Sequence, residues 1–496
     1  RSVVSETGLC RCTTVPFTPI RFAMKGVAGC VLLPLVAADL PVHCLRHEVA
    51  GKWTFYLGAS SSERTKCGHE SPDKSSMQPH INMVDYTDEL PVTLNQPSTA
   101  TGGSDFGTWT MIYDEGFEVK LGSKTFLAFN MFDTSIEADG TIENYKSDCS
   151  RTQIGWYHDE AANQWGCFVA AKGKIPEPTH ASLASVEQVR KTPEDQLDSM
   201  LASLQGRDSF LQTNAVITED MHKAHVKRIN ARQSGWTATV YPTLINKTHS
   251  ELNRMAGIRR AGLRSVALME RPAFLQTSSH SRKAEQRISD MPKDFDWRNK
   301  DGKDYLPTPA NQGSCGSCYA VASVTMMTAR RRIMEDNPNA EAFSTEFPLF
   351  CSEYNQGCDG GYPELIAKWS KDVGLVPESC GAYDTSKSMC QLSCDPSTVN
   401  KYKVTEYGYV GGFYGGAKEA NMMEEIYRNG PIAVAIEPSD DFMYYQTGVY
   451  EHGAALFKEW TKVDHAVLVT GWGEDNGKKY WRVQNSWGDS WGEKGT

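Results

Sequence analysis

The chain of 496 residues has no excess of basic charge: 51 Lys and Arg stand against 61 Asp and Glu, a net charge of −10. That balance argues against a nucleic-acid partner, because clustered cations carry such binding. The one dense basic run, RRR at 330–332, reads as a solvated helix face. Internal repeats and low-complexity tracts are missing, which sets aside solenoid and linker architectures. Past residue 38 no apolar run is long enough to span a bilayer. Near the one CxxC, at Cys315 and Cys318, there is no second CxxC and no close His pair, so zinc would lack its remaining ligands. No metal is expected.

What is present is a chain long enough for several domains, with 40% hydrophobic residues and 12 Trp. Met24, Lys25 and the run "GVAGCVLLPLVAA" read as a secretory signal within a leader of residues 1–38. Val36 and Ala38 suit the cleavage positions, so the mature chain is expected to begin at Asp39. Of 14 cysteines, Cys10, Cys12 and Cys30 fall in the leader and an odd number remains. A secreted chain favours disulfides, and an odd count leaves at least one thiol over. Residues 39–174 look β-rich, with aromatic runs such as "KWTFYL" and "KTFLAFNMF" and four cysteines. Residues 175–290 are polar and helix-prone, with links such as "IRRAGLRS" that look open to proteases. "NKT" at Asn246 is the acceptable N-glycosylation sequon. Residues 291–496 form a third unit, helical first and then Gly- and aromatic-rich with strand-like stretches.

The CxxC sits in "NQGSCGSCYA" and has three chemical readings. A redox pair should follow an apolar strand, but "DYLPTPANQGS" is broken by two prolines. A nucleophile fits better. Cys318 opens the helical candidate "YAVASVTMMTARRRIM", and a helix N-terminus stabilises thiolate over thiol. Small residues around it let a substrate backbone approach, and Gln312 offers a side-chain N–H for a developing oxyanion. A nucleophile needs a base and the base an orienter. His465 heads the apolar stretch "HAVLVTGWG", and Asn485 in "VQNSWG" can fix its tautomer while Trp487 shields the bond. Each piece alone is unspecific; the ordered set is not.

Residues from about 292 onward resemble the papain family of cysteine peptidases. His465 lies within the roughly 130–150-residue spacing of that family's signature, and Asn485 a little beyond it. The resemblance implies a catalytic set of Cys318, His465, Asn485 and Gln312. It also implies the bridges Cys315–Cys358, Cys351–Cys390 and Cys380–Cys394, which leave Cys318 over. "DLPVHC", "GKWTFYLG", "INARQSGWTATVY" and "GGFYGG" further resemble the cathepsin C (dipeptidyl peptidase I) branch, as does Tyr319 after the nucleophile. The implied fold is α+β: a two-lobed peptidase, one lobe helical and one a β-barrel, with an N-terminal antiparallel β-barrel exclusion domain. That domain would carry Cys44–Cys149 and Cys67–Cys167.

From this resemblance follow the remaining expectations. The barrel blocks the cleft beyond the second substrate residue, and the carboxylate of Asp39 holds the substrate's α-ammonium. Gly360 and Gly361 pair with the substrate backbone. The activity implied is removal of dipeptides from free N-termini of peptides and proteins by a zymogen that other proteases activate, with residues 175–290 as its excised activation peptide. An endopeptidase, or a non-catalytic binding protein on the same fold, is the alternative. No cofactor is required. The family holds chloride between tyrosines; Tyr409 matches one, but Glu364 stands where the other belongs, and an ionised carboxylate repels chloride. The route is secretory, toward a lysosome-like or vacuolar acidic compartment or the outside, with homo-oligomers left open. "SWGEKGT" ends before the family pattern does, so residues 291–496 read as a C-terminally incomplete peptidase domain.

Overall fold

The computed structural model describes residues 42–72, 74–75, 86–136, 142–173, 216–232, 235–248, 251–252, 255, 291–384, 386–387, 389–436, 438, 441–451 and 465–496. The leader, Asp39 and the Lys/Arg-rich links of 256–290 lie outside them.

A short helix α1 (Arg46–Val49) leads into β1 (Gly51–Gly58). The small hairpin of β2 (His69–Ser71) and β3 (Lys74–Ser75) precedes β4 (Tyr86–Asn95), β5 (Thr99–Gly102), β6 (Asp105–Ile112) and β7 (Gly116–Leu121). Then come β8 (Lys124–Ile136), β9 (Ile142–Thr152), β10 (Gly155–Asp159) and β11 (Gln164–Ala171). Neighbours pair antiparallel in the order β1-β4-β5-β6-β7-β8-β10-β11, and β11 pairs back onto β1 through Phe55↔Ala170. The sheet therefore closes into an eight-stranded barrel, with β9 laid along β8 and β11. Closure pairs each of the eight barrel strands on both sides.

Side chains alternate across each strand. On β7, Phe117 and Val119 are fully buried inside the barrel beside Trp53, Phe55 and Phe126. Glu118 and Lys120 lie on the other face, where the peptidase covers Glu118. Two disulfides, Cys44–Cys149 and Cys67–Cys167, tie the barrel's flanking segments to it.

The described residues between 216 and 255 belong to the stretch that reads as polar and excisable, yet they share a buried core with the peptidase. Helix α2 (Glu219–Arg232) and strand β12 (Trp236–Ala238) bring Ile229, Trp236, Tyr241 and Leu244 against Tyr444, Tyr445, Trp487 and Trp491. Asn246 of the sequon is exposed.

After β13 (Phe295–Asp296) the peptidase unit opens on α3 (Cys318–Met334), its longest described helix. Then follow α4 (Glu346–Cys351), α5 (Pro363–Asp372), α6 (Glu419–Asn429), β14 (Ile432–Ile436), β15 (Tyr445–Gly448), β16 (His465–Asp475) and β17 (Lys478–Gln484). The long apolar β16 pairs with β13, β14 and β17, and β12 pairs with β15. Helix α3 is buried along most of its length and packs on β16. Three disulfides, Cys315–Cys358, Cys351–Cys390 and Cys380–Cys394, lie within this unit. Five bridges thus account for every described cysteine but Cys318. None of the five links barrel to peptidase.

Candidate active site

Cys318 is the first residue of α3, 6% exposed, with Ser317 at the N-cap. The amides of Ala320 and Val321 already donate to the Ser317 carbonyl, so Cys318 sits where the helix dipole is positive. The turn before it is pinned. Gly316 N–H donates to the Cys358 carbonyl at 2.8 Å, and a Cβ on Gly316 would stand 2.7 Å from that oxygen. The Cys315–Cys358 bridge fastens the same two segments. The Ser317 hydroxyl is bonded to the Tyr383 hydroxyl, whose pKa burial pushes up to about 12.

His465 begins β16 and is 1% exposed. The amide of the next residue, Ala466, donates to Cys318 Sγ at 3.4 Å, so the strand start abuts the thiol. His465 Nε2 donates to Asn485 Oδ1 at 2.8 Å, an oxygen that also accepts from the Ser486 amide at 2.8 Å. With Nε2 engaged, the buried Nδ1 has no hydrogen-bond partner among the described residues and is the nitrogen left to exchange a proton. Trp487 stacks on the imidazole, centroids 5.0 Å apart, and keeps water from the His465–Asn485 bond. Burial draws the His465 pKa down to about 4, while the Asn485 bond works upward. A thiolate beside an imidazolium favours the charged form of both.

Gln312 is fully buried. Its Oε1 accepts from the Ser486 hydroxyl, and its Nε2 donates to the Cys315 carbonyl at 3.0 Å. A primary amide carries two N–H donors, so one remains to aim at an oxyanion. Gly361 makes no backbone hydrogen bond among the described residues, while Gly360 accepts one from Gln356. A Cβ on Gly361 would fall 2.6 Å from the Tyr319 ring and 2.4 Å from Asn355 Oδ1, so only glycine keeps this strip open beside the nucleophile's helix. The structure thus brings Cys318, His465, Asn485 and Gln312 into one neighbourhood with Gly361 alongside.

Residues 291–496 match the papain family cysteine protease model, and residues 39–172 match the cathepsin C exclusion domain model. Cathepsin C of Schistosoma mansoni is 30% identical over 95% of this chain and 95% of its own. The chain belongs to the cathepsin C family. Dipeptidyl aminopeptidase 1 of Plasmodium falciparum is 24% identical over 94% of this chain and 91% of its own. Among solved structures, digestive procathepsin L2 from Tenebrio molitor is similar at 23% identity, covering 60% of this chain and 92% of its own with a TM-score of 0.43. The protein is therefore a cathepsin C-like, papain-family cysteine peptidase that acts on peptides.

In this member of the cathepsin C family the barrel meets the peptidase through residues that local sequence pattern does not reveal. Tyr362, next to Gly361, donates its hydroxyl to the buried Glu115 and packs at a tilt against Tyr113, centroids 5.1 Å apart. Tyr407 donates to Glu118 at 2.6 Å, and Lys120 donates to the Tyr407 carbonyl at 3.1 Å. Glu364 is 7% exposed and close to Glu118 and Tyr409, whose buried hydroxyl has no partner among the described residues. Burial and then the charge of Glu118 raise the Glu364 pKa to about 8. In acid Glu364 is thus a neutral carboxyl rather than the ionised one the sequence reading assumed. Among the described residues no group of three or more metal-ligating side chains gathers, and no helix is long and apolar enough to cross a membrane.

Proposed function

We propose that this peptidase releases dipeptides from free N-termini and is made as a zymogen. One observation carries the reading. The turn at 113–115 between β6 and β7 holds the start of the barrel and touches the cleft together. Cys44 N–H donates to the Asp114 carbonyl at 2.6 Å and His43 Nδ1 bonds Asp114 Oδ2 at 2.9 Å, while Tyr113 and Glu115 engage Tyr362 beside Gly361. Asp39 stands three residues before Val42, at most about 10 Å of chain away. On this reading its carboxylate serves the α-ammonium of the bound peptide, a desolvated cation that needs such a partner.

The chemistry follows from the site. Cys318 thiolate attacks the scissile carbonyl, and the oxyanion is held by the Cys318 amide and the second Gln312 N–H. His465 imidazolium gives its proton to the leaving amine, producing a thioester on Cys318. It then takes a proton from water, which releases the dipeptide and restores the thiolate. Asn485 keeps the imidazole in register throughout.

Residues 216–255 support the zymogen reading. They share a core with Trp487, and the Met255 carbonyl accepts from Trp487 Nε1 at 2.8 Å, beside the shielded His465–Asn485 bond. Activating proteases would cut the Lys/Arg-rich links that follow. The signal-like leader and five disulfides support a secretory route to an acidic compartment. Tyr409 has the Tyr414 ring 5.6 Å away, and the carboxyl of Glu364 stands where the family places its other tyrosine, which supports an altered anion site.

The test compares a dipeptidyl fluorogenic amide with a free and with an acetylated N-terminus. Cleavage of the free form alone supports the exopeptidase; equal cleavage of both refutes it in favour of an endopeptidase.

A further inference from the structure

Across the junction one contact differs in kind from the rest. Most cross-junction bonds involve a neutral group or sit near solvent, as with Lys371–Glu160, where the glutamate side chain is 45% exposed. Arg64, from the barrel segment after β1, instead donates to Glu353 of the peptidase, whose side chain is 0% exposed. Its guanidinium lies 5.8 Å from the Trp165 ring of the barrel and 5.3 Å from the Tyr354 ring of the peptidase. Behind it, Tyr354 donates to Asp372 at 2.9 Å, and Asp372 pairs with Lys368 at 3.1 Å, both nearly fully buried. Trp156 of the barrel packs edge-on against Tyr354 at 5.0 Å.

We propose that Arg64 is a positioning residue that holds the barrel over the cleft, so that the balance of dipeptide release against internal cleavage is set by the Arg64–Glu353 pair. The proposal rests on the dipeptide-releasing function above. No described disulfide crosses the junction, so once the chain between barrel and peptidase is cut, only non-covalent contacts retain the barrel. Glu353 Oε2 and Arg64 Nε are buried with no hydrogen-bond partner among the described residues, and Arg64 is the cation paired with Glu353 there. Removing the guanidinium strands a buried carboxylate, which must take up a proton or reach water, and water enters when the barrel lifts. The peptidase core and the triad need not change.

The test uses the full-length protein after activation, with wild type, Arg64→Met, and the double variant Arg64→Met with Glu353→Leu. Three quantities are read: active sites titrated by an irreversible thiol-directed reagent, the ratio of blocked-peptide to free-dipeptidyl-amide cleavage, and co-elution of barrel with peptidase on a sizing column. Arg64→Met is expected to keep its titratable sites, raise the ratio at least tenfold and lose barrel from the peptidase peak. The double variant, which removes both charges, is expected to return ratio and co-elution toward wild type. Co-elution and ratio unchanged in Arg64→Met would overturn the proposal. So would a parallel fall of both activities with the lost sites. If Arg64→Met does not fold, the double variant decides: a wild-type ratio supports the pair as a replaceable clamp, and a raised ratio with its sites intact overturns it. A wild type that cleaves blocked and free substrates equally refutes the dipeptidyl reading, whereas barrel co-elution still reports on the clamp.

Discussion

Replacing Asn485 by Ala removes one oxygen from a closed, dry contact. Asn485 Oδ1 accepts from His465 Nε2 at 2.8 Å under the stacked Trp487, and no other described group takes that proton. A hydrogen bond to a charged group is worth about 1.5–3 kcal/mol, and here it favours the imidazolium of the ion pair. At about 1.4 kcal/mol per tenfold, kcat/KM should fall roughly 10–150-fold. The same energy fixes a second observable. Burial already draws His465 down, and Asn485 works against it. Without Asn485 the imidazolium loses its proton at lower pH, so the alkaline limb of the kcat/KM–pH profile should move about 1–2 units toward acid. The assay is a dipeptidyl amide followed from pH 4 to 8, with active-site titration to correct for misfolded protein. A loss under threefold, or a large loss with the alkaline limb unmoved, would refute the orienting role.

Cys318→Ser should lose essentially all peptidase activity and all labelling by thiol-directed reagents while keeping the wild-type melting temperature within a few degrees. Gly361→Ala should raise KM more than it lowers kcat, because the new Cβ collides with Tyr319 and Asn355 where substrate must lie; an unchanged KM would count against that. Removing the Cys315–Cys358 bridge, which closes 43 residues, should cost about 4 kcal/mol in a denaturant melt on chain entropy alone. Glu364 has a folded pKa near 8, above its unfolded value, so the stability it contributes is present below about pH 4.5 and lost as pH rises through 8. Glu364→Gln should flatten that alkaline decline, by at most about 5 kcal/mol over the window. Added chloride should leave wild-type activity flat; a saturable rise would show that the site still binds the anion.

The nucleophile's helix, the histidine at a strand head and the asparagine beyond it are legible because each depends on local pattern: small residues before a helix, an apolar run, an aromatic-rich turn. The β-rich character of the first domain is legible for the same reason, from alternating aromatic runs. Barrel closure is not, because Phe55 pairs with Ala170 across most of the domain. The junction is hidden for a related reason: Arg64 and Glu353 are 289 positions apart, and nothing near either one announces the other. Glu118 is buried because the peptidase covers its face of the strand, a contact no local pattern announces. Glu364 reads as ionised until its burial beside Glu118 is seen. Trp236 and Tyr241 sit in a polar stretch that composition marks as exposed, yet Tyr444, Tyr445 and Trp491 bury them.

The central claim is the two-residue register, and product analysis tests it most directly. A synthetic peptide of about twelve residues with a free N-terminus is digested by the activated protein and sampled over time by mass spectrometry. The account predicts a ladder of products shortened by successive pairs of residues from the N-terminus, with no internal fragments. Internal fragments from the earliest time points, or a ladder stepping by one residue, would contradict it.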